Sequence, residues 1–394
     1  MAGNKFSYIP YGQQNISDDD IQAVVSILNS DNITQGPTVP AFENGIKTYC
    51  GATHAVAVNS ATSALHLACL ALGVGPGDIV WTSPVTFVAS ANCALFCGAT
   101  VDFVDIDNFT YNLCEKKLKE KLVIAEREGR LPKVVIPVHL AGQSCNMIEI
   151  SKLAKHYGFK VIEDASHAIG TTYLDRKVGC CEFSDVTVFS FHPVKIITTA
   201  EGGVATTNSS RIANKLRLLR SHGITKEPEY MINASEGPWY YEQLDLGFNY
   251  RMTDIHAALG LSQLGRLDEF VNNRHQIVQR YNDKLANLPV RTPWQSPDSR
   301  SASHLYIIRL ELENIKLSHR EVFEFLRTNG IGVALHYMPV YRQPYFKNLG
   351  FCRDTCLEAE KYYAEAISLP IFPNLSQESQ DRVLDVLELA VSCK

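Results

Sequence analysis

The chain alternates between two hydrophobic periods. Short apolar runs at residues 55–58, 78–81, 100–104, 133–138, 160–163 and 185–190 have the length and β-branched content of buried strands. Between the first five, apolar residues recur at helical spacing over 64–72, 87–96, 113–128 and 147–157. Such alternation is the pattern of a parallel sheet covered on both faces by helices. Two helices are expected ahead of it. Ser17, then Asp18, Asp19 and Asp20, then Ile21, Val24, Val25 and Leu28 predict a capped amphipathic helix with acids at its positive end. A loop at 32–37 leads to the second helix, over 39–49.

Beyond the alternating part, a helix opens near Asp254 and runs through Leu264, and a long helix is expected over 267–285. It leads to a smaller α/β unit with strands at 305–310 and 332–335 and helices at 318–328 and 356–366. The expected division is a large domain, residues 1–265, and a small one, residues 266–394. Gly73-Val74-Gly75-Pro76-Gly77 follows a helix and precedes a strand, so it reads as a turn and not as a dinucleotide fingerprint. No phosphate-loop lysine motif occurs, which argues against a nucleoside triphosphatase.

Composition changes this picture little. With 394 residues, 45% hydrophobic and 20% charged, the chain is an ordinary globular one with room for a large core. A net charge of -5 argues against a general nucleic-acid binder while leaving room for a local basic patch. Eleven scattered cysteines, odd in number and without zinc spacing, together with the absence of a signal peptide at the start, predict a reduced cytoplasmic enzyme without a metal site. Residues 79–101 carry no charge, but Thr82, Ser83, Pro84, Asn92 and Gly98 break the stretch into strand, turn, helix and strand, so no membrane span is expected.

The candidate chemistry lies at strand ends. Lys195 stands among apolar neighbours in 190–203, a stretch that closes on Glu201-Gly202-Gly203. Burial disfavours an ammonium, and a lysine held neutral is the amine that forms Schiff bases with carbonyls and with pyridoxal phosphate. A lone lysine at a strand end more often snorkels to solvent, so partners must be found elsewhere. Asp164 ends an apolar strand, where a carboxylate needs either a cationic partner, such as a protonated pyridine nitrogen, or a segment to cap. Thr62 and Ser63 follow a strand and open a helix, a place for a phosphate or for simple capping. Phe87, just past a strand, offers a ring for stacking or for the core.

Taken in order, Asn32-Ile33-Thr34-Gln35-Gly36-Pro37, Asn59-Ser60-Ala61-Thr62-Ser63-Ala64, Glu163-Asp164-Ala165-Ser166-His167-Ala168, residues 190–203, Arg220-Ser221-His222-Gly223, residues 247–252 and His336-Tyr337 form an ordered set. Over nearly its whole length the chain resembles the DegT/DnrJ/EryC1 family of nucleotide-sugar aminotransferases. The resemblance implies a type I, aspartate aminotransferase-like α/β fold with a mixed, mostly parallel sheet, and pyridoxal 5′-phosphate as cofactor. Position by position, it implies that Lys195 forms the Schiff base, that Asp164 pairs with the pyridinium nitrogen, and that Thr62, Ser63 and Ser190 hold the phosphate. Phe87 would stack on the ring, His167 would lie at its oxygen or face, and Asn249 would reach the phosphate of a neighbouring subunit in a homodimer. At His167 many relatives carry glutamine.

Within the family the likeness is to the branch that transfers an amino group from L-glutamate, releasing 2-oxoglutarate, to C4 of UDP-2-acetamido-2,6-dideoxy-β-L-arabino-hexos-4-ulose in pseudaminic acid biosynthesis. Enzymes for other nucleotide 4-keto-6-deoxy sugars, of UDP-D-xylo or GDP-perosamine type, are the nearest alternatives. His336, Tyr337, His222 and the loop Thr34-Gln35-Gly36 are the candidate sugar contacts. Lys195 argues against a sugar 3-dehydratase, in which histidine takes its place. Retention of Lys195, Asp164 and Asn249 argues against a non-catalytic cofactor-binding sensor.

Overall fold

The computed structural model describes residues 8–392. Seven strands build the central sheet: β1 (His54–Val58), β2 (Ile79–Thr82), β3 (Thr100–Phe103), β4 (Val134–Ile136), β5 (Lys160–Asp164), β6 (Val186–Ser190) and β7 (Gly203–Thr207). Their spatial order is β1-β7-β6-β5-β4-β2-β3. Strands β6, β5, β4, β2 and β3 pair in parallel, whereas β7 runs antiparallel to both of its neighbours. The alternating pattern alone predicted a parallel sheet; β7 departs from it because residues 191–202 contain no crossover helix to carry the chain back. All five residues of β6 and of β7 are buried, as expected of strands covered on both faces.

Local chemistry sets the helix starts. Ser17 accepts the Asp20 N–H while Asp20 accepts the Ser17 N–H, a capping box that opens helix α1 (Asp18–Leu28). Its packing differs from the expectation: Asp20 is the residue buried, held by Ser262, Gln263 and Arg266, while Ile21, Val25 and Leu28 face outward at 50%, 39% and 57% exposure. Helix α2 spans Thr38–Cys50. Helix α3 (Ala61–Ala71) begins three residues ahead of the expected 64, because Ser60 caps it through the Ser63 N–H. Helix α4 (Ala89–Phe96) begins after Phe87, which stays outside it.

The helices expected over 147–157 and 267–285 form as Met147–Tyr157 and Leu267–Leu285. Helices Ser210–Arg220 and Gln377–Val391 and strand Ala366–Leu369 were not anticipated. In the C-terminal part, Val290–Arg291, Tyr306–Leu310 and Ala366–Leu369 form an antiparallel sheet over a core that includes Tyr281, Tyr306, Leu326 and Leu387. The strand expected at 332–335 is absent. That segment is held by single bridges, Ile331 to Ile9 and Ala334 to Ser368, and then turns to carry His336 and Tyr337 toward the sheet. Among the described residues, no helix is long and apolar enough to cross a membrane.

Candidate active site

The carboxyl ends of β5 and β6 and the amino end of α3 converge on a cavity of about 420 Å³. Strand β5 delivers Asp164, which is 5% exposed. Its Oδ2 accepts the Ser90 hydroxyl at 2.6 Å, and Oδ1 accepts the Ser166 hydroxyl at 2.6 Å and N–H at 3.1 Å. The Thr86 hydroxyl, 2.7 Å from that of Ser90, extends the chain of hydrogen bonds. A buried carboxylate fixed on both oxygens is a preorganised partner for a cationic group.

Strand β6 ends at Ser190, and a compact turn follows it. The Thr199 N–H and the Thr198 hydroxyl both donate to the Phe191 carbonyl, and the Lys195 N–H donates to the His192 carbonyl. The turn thereby presents Lys195 to the cavity. Burial pulls the Lys195 ammonium down to about 8, with the charge of Asp164 opposing it. His167 is held neutral, well below the usual imidazole range, by burial first and then by the nearby Lys195 and His336 side chains. The Ala141 N–H donates to its Nδ1 at 3.3 Å, which assigns the ring proton to Nε2, 3.2 Å from the Tyr337 hydroxyl. Burial likewise pulls His336 down to about 4, and its Nδ1 lies 2.8 Å from the Ser368 hydroxyl.

At the opposite wall, the first turn of α3 is seated by close backbone approach. A Cβ on Gly203 would lie 2.5 Å from the Ala61 nitrogen and 2.6 Å from the Ser60 carbonyl carbon, so only glycine lets β7 press against the helix start. Ser60, Ala61 and Thr62 face the cavity, where the unpaired N–H groups of a helix start and its dipole favour an anion.

Of the residues singled out from the sequence, Lys195, Asp164, His167, Thr62, Phe87, Ser190, His336 and Tyr337 line this one cavity. Phe87 is 59% exposed at its edge, 6.3 Å in centroid distance from Tyr337. The remainder lie outside its lining. Ser63 is turned to the protein, its hydroxyl donating to Asn59 Oδ1 at 2.6 Å. Asn249 and His222 are exposed on neighbouring segments, with Asn249 bridged to Ser221 and the His222 N–H donating to the Phe248 carbonyl. Thr34 and Gln35 are exposed, and the Gly36 N–H is tied to Asp254 Oδ2 at 2.8 Å.

Sequence reasoning missed Ser90, Thr86, Tyr11 and His304, all of which border the cavity or hold Asp164. One signal for the first two existed: Thr86 and Ser90 are hydroxyls four residues apart within the charge-free stretch 79–101, the spacing of helix neighbours. Ten cysteines are free among the described residues, and these residues contain no cluster of three or more metal-ligating side chains.

The geometry has close counterparts. A model of the DegT/DnrJ/EryC1/StrS aminotransferase family matches residues 14–388. The spore coat polysaccharide biosynthesis protein SpsC of Bacillus subtilis is 38% identical over 390 residues, covering 98% of each chain. The UDP-4-amino-4,6-dideoxy-N-acetyl-beta-L-altrosamine transaminase of Campylobacter jejuni is 39% identical over 381 residues, 96% of each chain. Among solved structures, Helicobacter pylori PseC, an aminotransferase involved in the biosynthesis of pseudoaminic acid, superposes with a TM-score of 0.90 at 31% identity, covering 98% of this chain and 99% of that one. The fold is the aspartate aminotransferase-like, type I fold of pyridoxal-phosphate-dependent enzymes, as the resemblance implied. With a buried lysine and carboxylate converging at the strand ends and the family pattern running through all but the chain termini, this protein belongs to the DegT/DnrJ/EryC1/StrS aminotransferase family.

Proposed function

We propose that the protein is a pyridoxal 5′-phosphate-dependent, cytoplasmic homodimeric aminotransferase that moves an amino group from L-glutamate to C4 of UDP-2-acetamido-2,6-dideoxy-β-L-arabino-hexos-4-ulose. The observation that carries this reading is a lysine with its ammonium pulled down to about 8, sharing one cavity with a doubly hydrogen-bonded buried carboxylate. Similarity to the Campylobacter jejuni transaminase and to PseC supports the choice of sugar. In this reading the cavity belongs to a large domain, residues 1–265, and is closed by a small one, residues 266–394.

The donor set fits the cofactor. Lys195 would hold it through its amine, and Asp164 would hold the proton of its ring nitrogen. Thr62, Ser190 and the N–H groups at the start of α3 would hold its phosphate, with Phe87 and His167 at its ring. Ser63, its hydroxyl engaged by Asn59, would serve as a prop for that helix start. When bound, pyridoxal phosphate supplies an aldehyde that exchanges amines and a ring that stabilises a neighbouring carbanion. The amine of Lys195, once released, takes the proton from Cα of glutamate and later delivers one to C4 of the sugar. Because one amine serves one face, the configuration of the new C4 amine is fixed. His167, kept neutral, adds no second positive charge at the ring, and its Nε2–H is directed at the Tyr337 hydroxyl.

Asn249 and His222 would act from a second copy. Ile21, Val25 and Leu28 share the outward face of α1, and Ile16, Ile33, Ile232, Trp239 and Leu246 are also exposed; the second copy would cover part of this apolar surface. Thr34, Gln35, Gly36, His336 and Tyr337 would border the nucleotide sugar.

The test is a visible spectrum of the cofactor-loaded protein. L-glutamate should bleach its aldehyde-form band, and the UDP-L-arabino keto-sugar should restore it with formation of the 4-amino sugar. A band indifferent to glutamate would overturn the donor. Restoration by the D-xylo epimer alone would move the assignment to another 4-keto sugar, a reading that similarity to SpsC also accommodates.

A further inference from the structure

His304 is 3% exposed and lines the cavity that holds Lys195 and Asp164. Neither ring nitrogen has a hydrogen-bond partner among the described residues; Nδ1 is sealed from solvent, which leaves Nε2 as the nitrogen that can meet a ligand in the cavity. Buried polar atoms are nearly always paired, and leaving one unpaired costs on the order of 1–3 kcal/mol, so an imidazole with no partner at either nitrogen in a cavity wall points to a ligand. The backbone fixes the residue: its N–H donates to the Ala141 carbonyl at 2.8 Å, and its carbonyl accepts from Arg274 Nη1 at 3.2 Å. The ring packs against that of His167, with centroids 4.4 Å apart.

The charge behind His304 selects the kind of ligand. Arg274 is 1% exposed, and its Nη1 donates to the carbonyls of Ser303, His304 and Ile371. No carboxylate pairs with it among the described residues, and its Nε is also without a partner. A buried cation compensated only by dipoles leaves a positive potential in front of it, which favours an anionic group over a neutral hydroxyl. Burial, followed by His167, Lys195, Arg274 and His336, holds the His304 imidazole well below its usual range.

Resting on the aminotransferase reading above, we propose that His304 is a donor-binding residue: its unpartnered imidazole receives a carboxylate of the amino acid that supplies the amine. The other anions of the reaction fit less well. The cofactor phosphate has the start of α3. The sugar's diphosphate is separated from C4 by the hexose ring, so it lies far from Lys195 while C4 reacts. The α-carboxylate of an amino acid is one bond from the reacting carbon, and His304 lines the cavity that presents Lys195.

The experiment uses the cofactor-loaded enzyme and two ligands: glutarate, a dicarboxylate without an amine, followed by calorimetry, and L-glutamate, followed by bleaching of the visible band. In His304→Leu both midpoints should rise about tenfold, the worth of one hydrogen bond to a charged group. The midpoint for the keto-sugar in the return half-reaction should stay at the wild-type value. His304→Gln, whose amide can stand near the place of Nε2, should restore most of the loss, and His304→Asn should not. Wild-type midpoints for glutamate and glutarate in His304→Leu, or a shift confined to the sugar, would overturn the proposal. If His304→Leu fails to fold, equal behaviour of the Asn and Gln variants would overturn it instead. Wild-type enzyme that glutamate does not bleach would sink the functional reading, while glutarate binding would still report on His304.

Discussion

The amine of Lys195 titrates near 8 because its surroundings remove water faster than Asp164 restores charge stabilisation. Lowering a base's pKa favours its neutral form, so at pH 7 about a tenth of Lys195 is a free nucleophile, against roughly 0.03% at an ordinary lysine value. The rate at which cofactor-free protein regains its visible band with pyridoxal phosphate should therefore rise with pH through a midpoint near 8 and level off above about 9. Stopped-flow absorbance across pH 6–11, a range of about five units that spans both values, would check it; a midpoint above 10 would mean that burial does not tune this lysine. The lysine, the aspartate and the helix-start hydroxyl were legible because each is chemically costly or directional where it stands. Ser90 and Thr86 left only the spacing of two hydroxyls four residues apart, and His304 left no signal, since a serine in a helix or a histidine in a loop becomes informative only when its neighbour is known.

At the scale of elements, the site depends on how β7 meets α3. The two residues before and at the start of β7, Gly202 and Gly203, lack side chains where Thr199, Met252, Ser60 and Ala61 crowd in. Gly203→Ala should push the strand from the helix start, lower stability by about 1–3 kcal/mol, and weaken pyridoxal phosphate binding more than tenfold. Thermal melts with and without cofactor would measure both; an unchanged melting temperature and affinity would show that the contact relaxes freely. The reversal of β7 was hidden from periodicity, because a five-residue apolar strand reads the same in either direction. It was implicit in connection length: only residues 191–202 separate β6 from β7, with no helix between them. In the same way the capping box at Ser17 was legible, whereas the buried role of Asp20 depends on Arg266, 246 residues away.

For the whole molecule, the exposed apolar side chains of α1 and the segment around Trp239 await a partner surface, and a second copy of the chain is our proposal for it. If each site takes Lys195 from one subunit and Asn249 from the other, two inactive variants should complement each other. Mixing Lys195→Ala with Asn249→Asp after reversible dissociation should recover about a quarter of wild-type sites, since half the dimers are mixed and one of their two sites is intact. Sedimentation would first establish the dimer. No recovery from mixed dimers would place Asn249 and Lys195 in the same chain's site.

The local elements and their chemistry follow from short stretches of chain: period, caps, turn glycines and strand-end lysine and carboxylate all act over a few residues, where backbone sterics and side-chain polarity decide. Tertiary structure alone decided what those residues meet. It turned β7, left the apolar face of α1 uncovered, turned Ser63 away from the cavity, and set His304 with an unpaired nitrogen beside Lys195. Each of these depends on contacts between segments far apart in the chain, where burial and pairing are fixed by the packed surroundings and not by any local pattern.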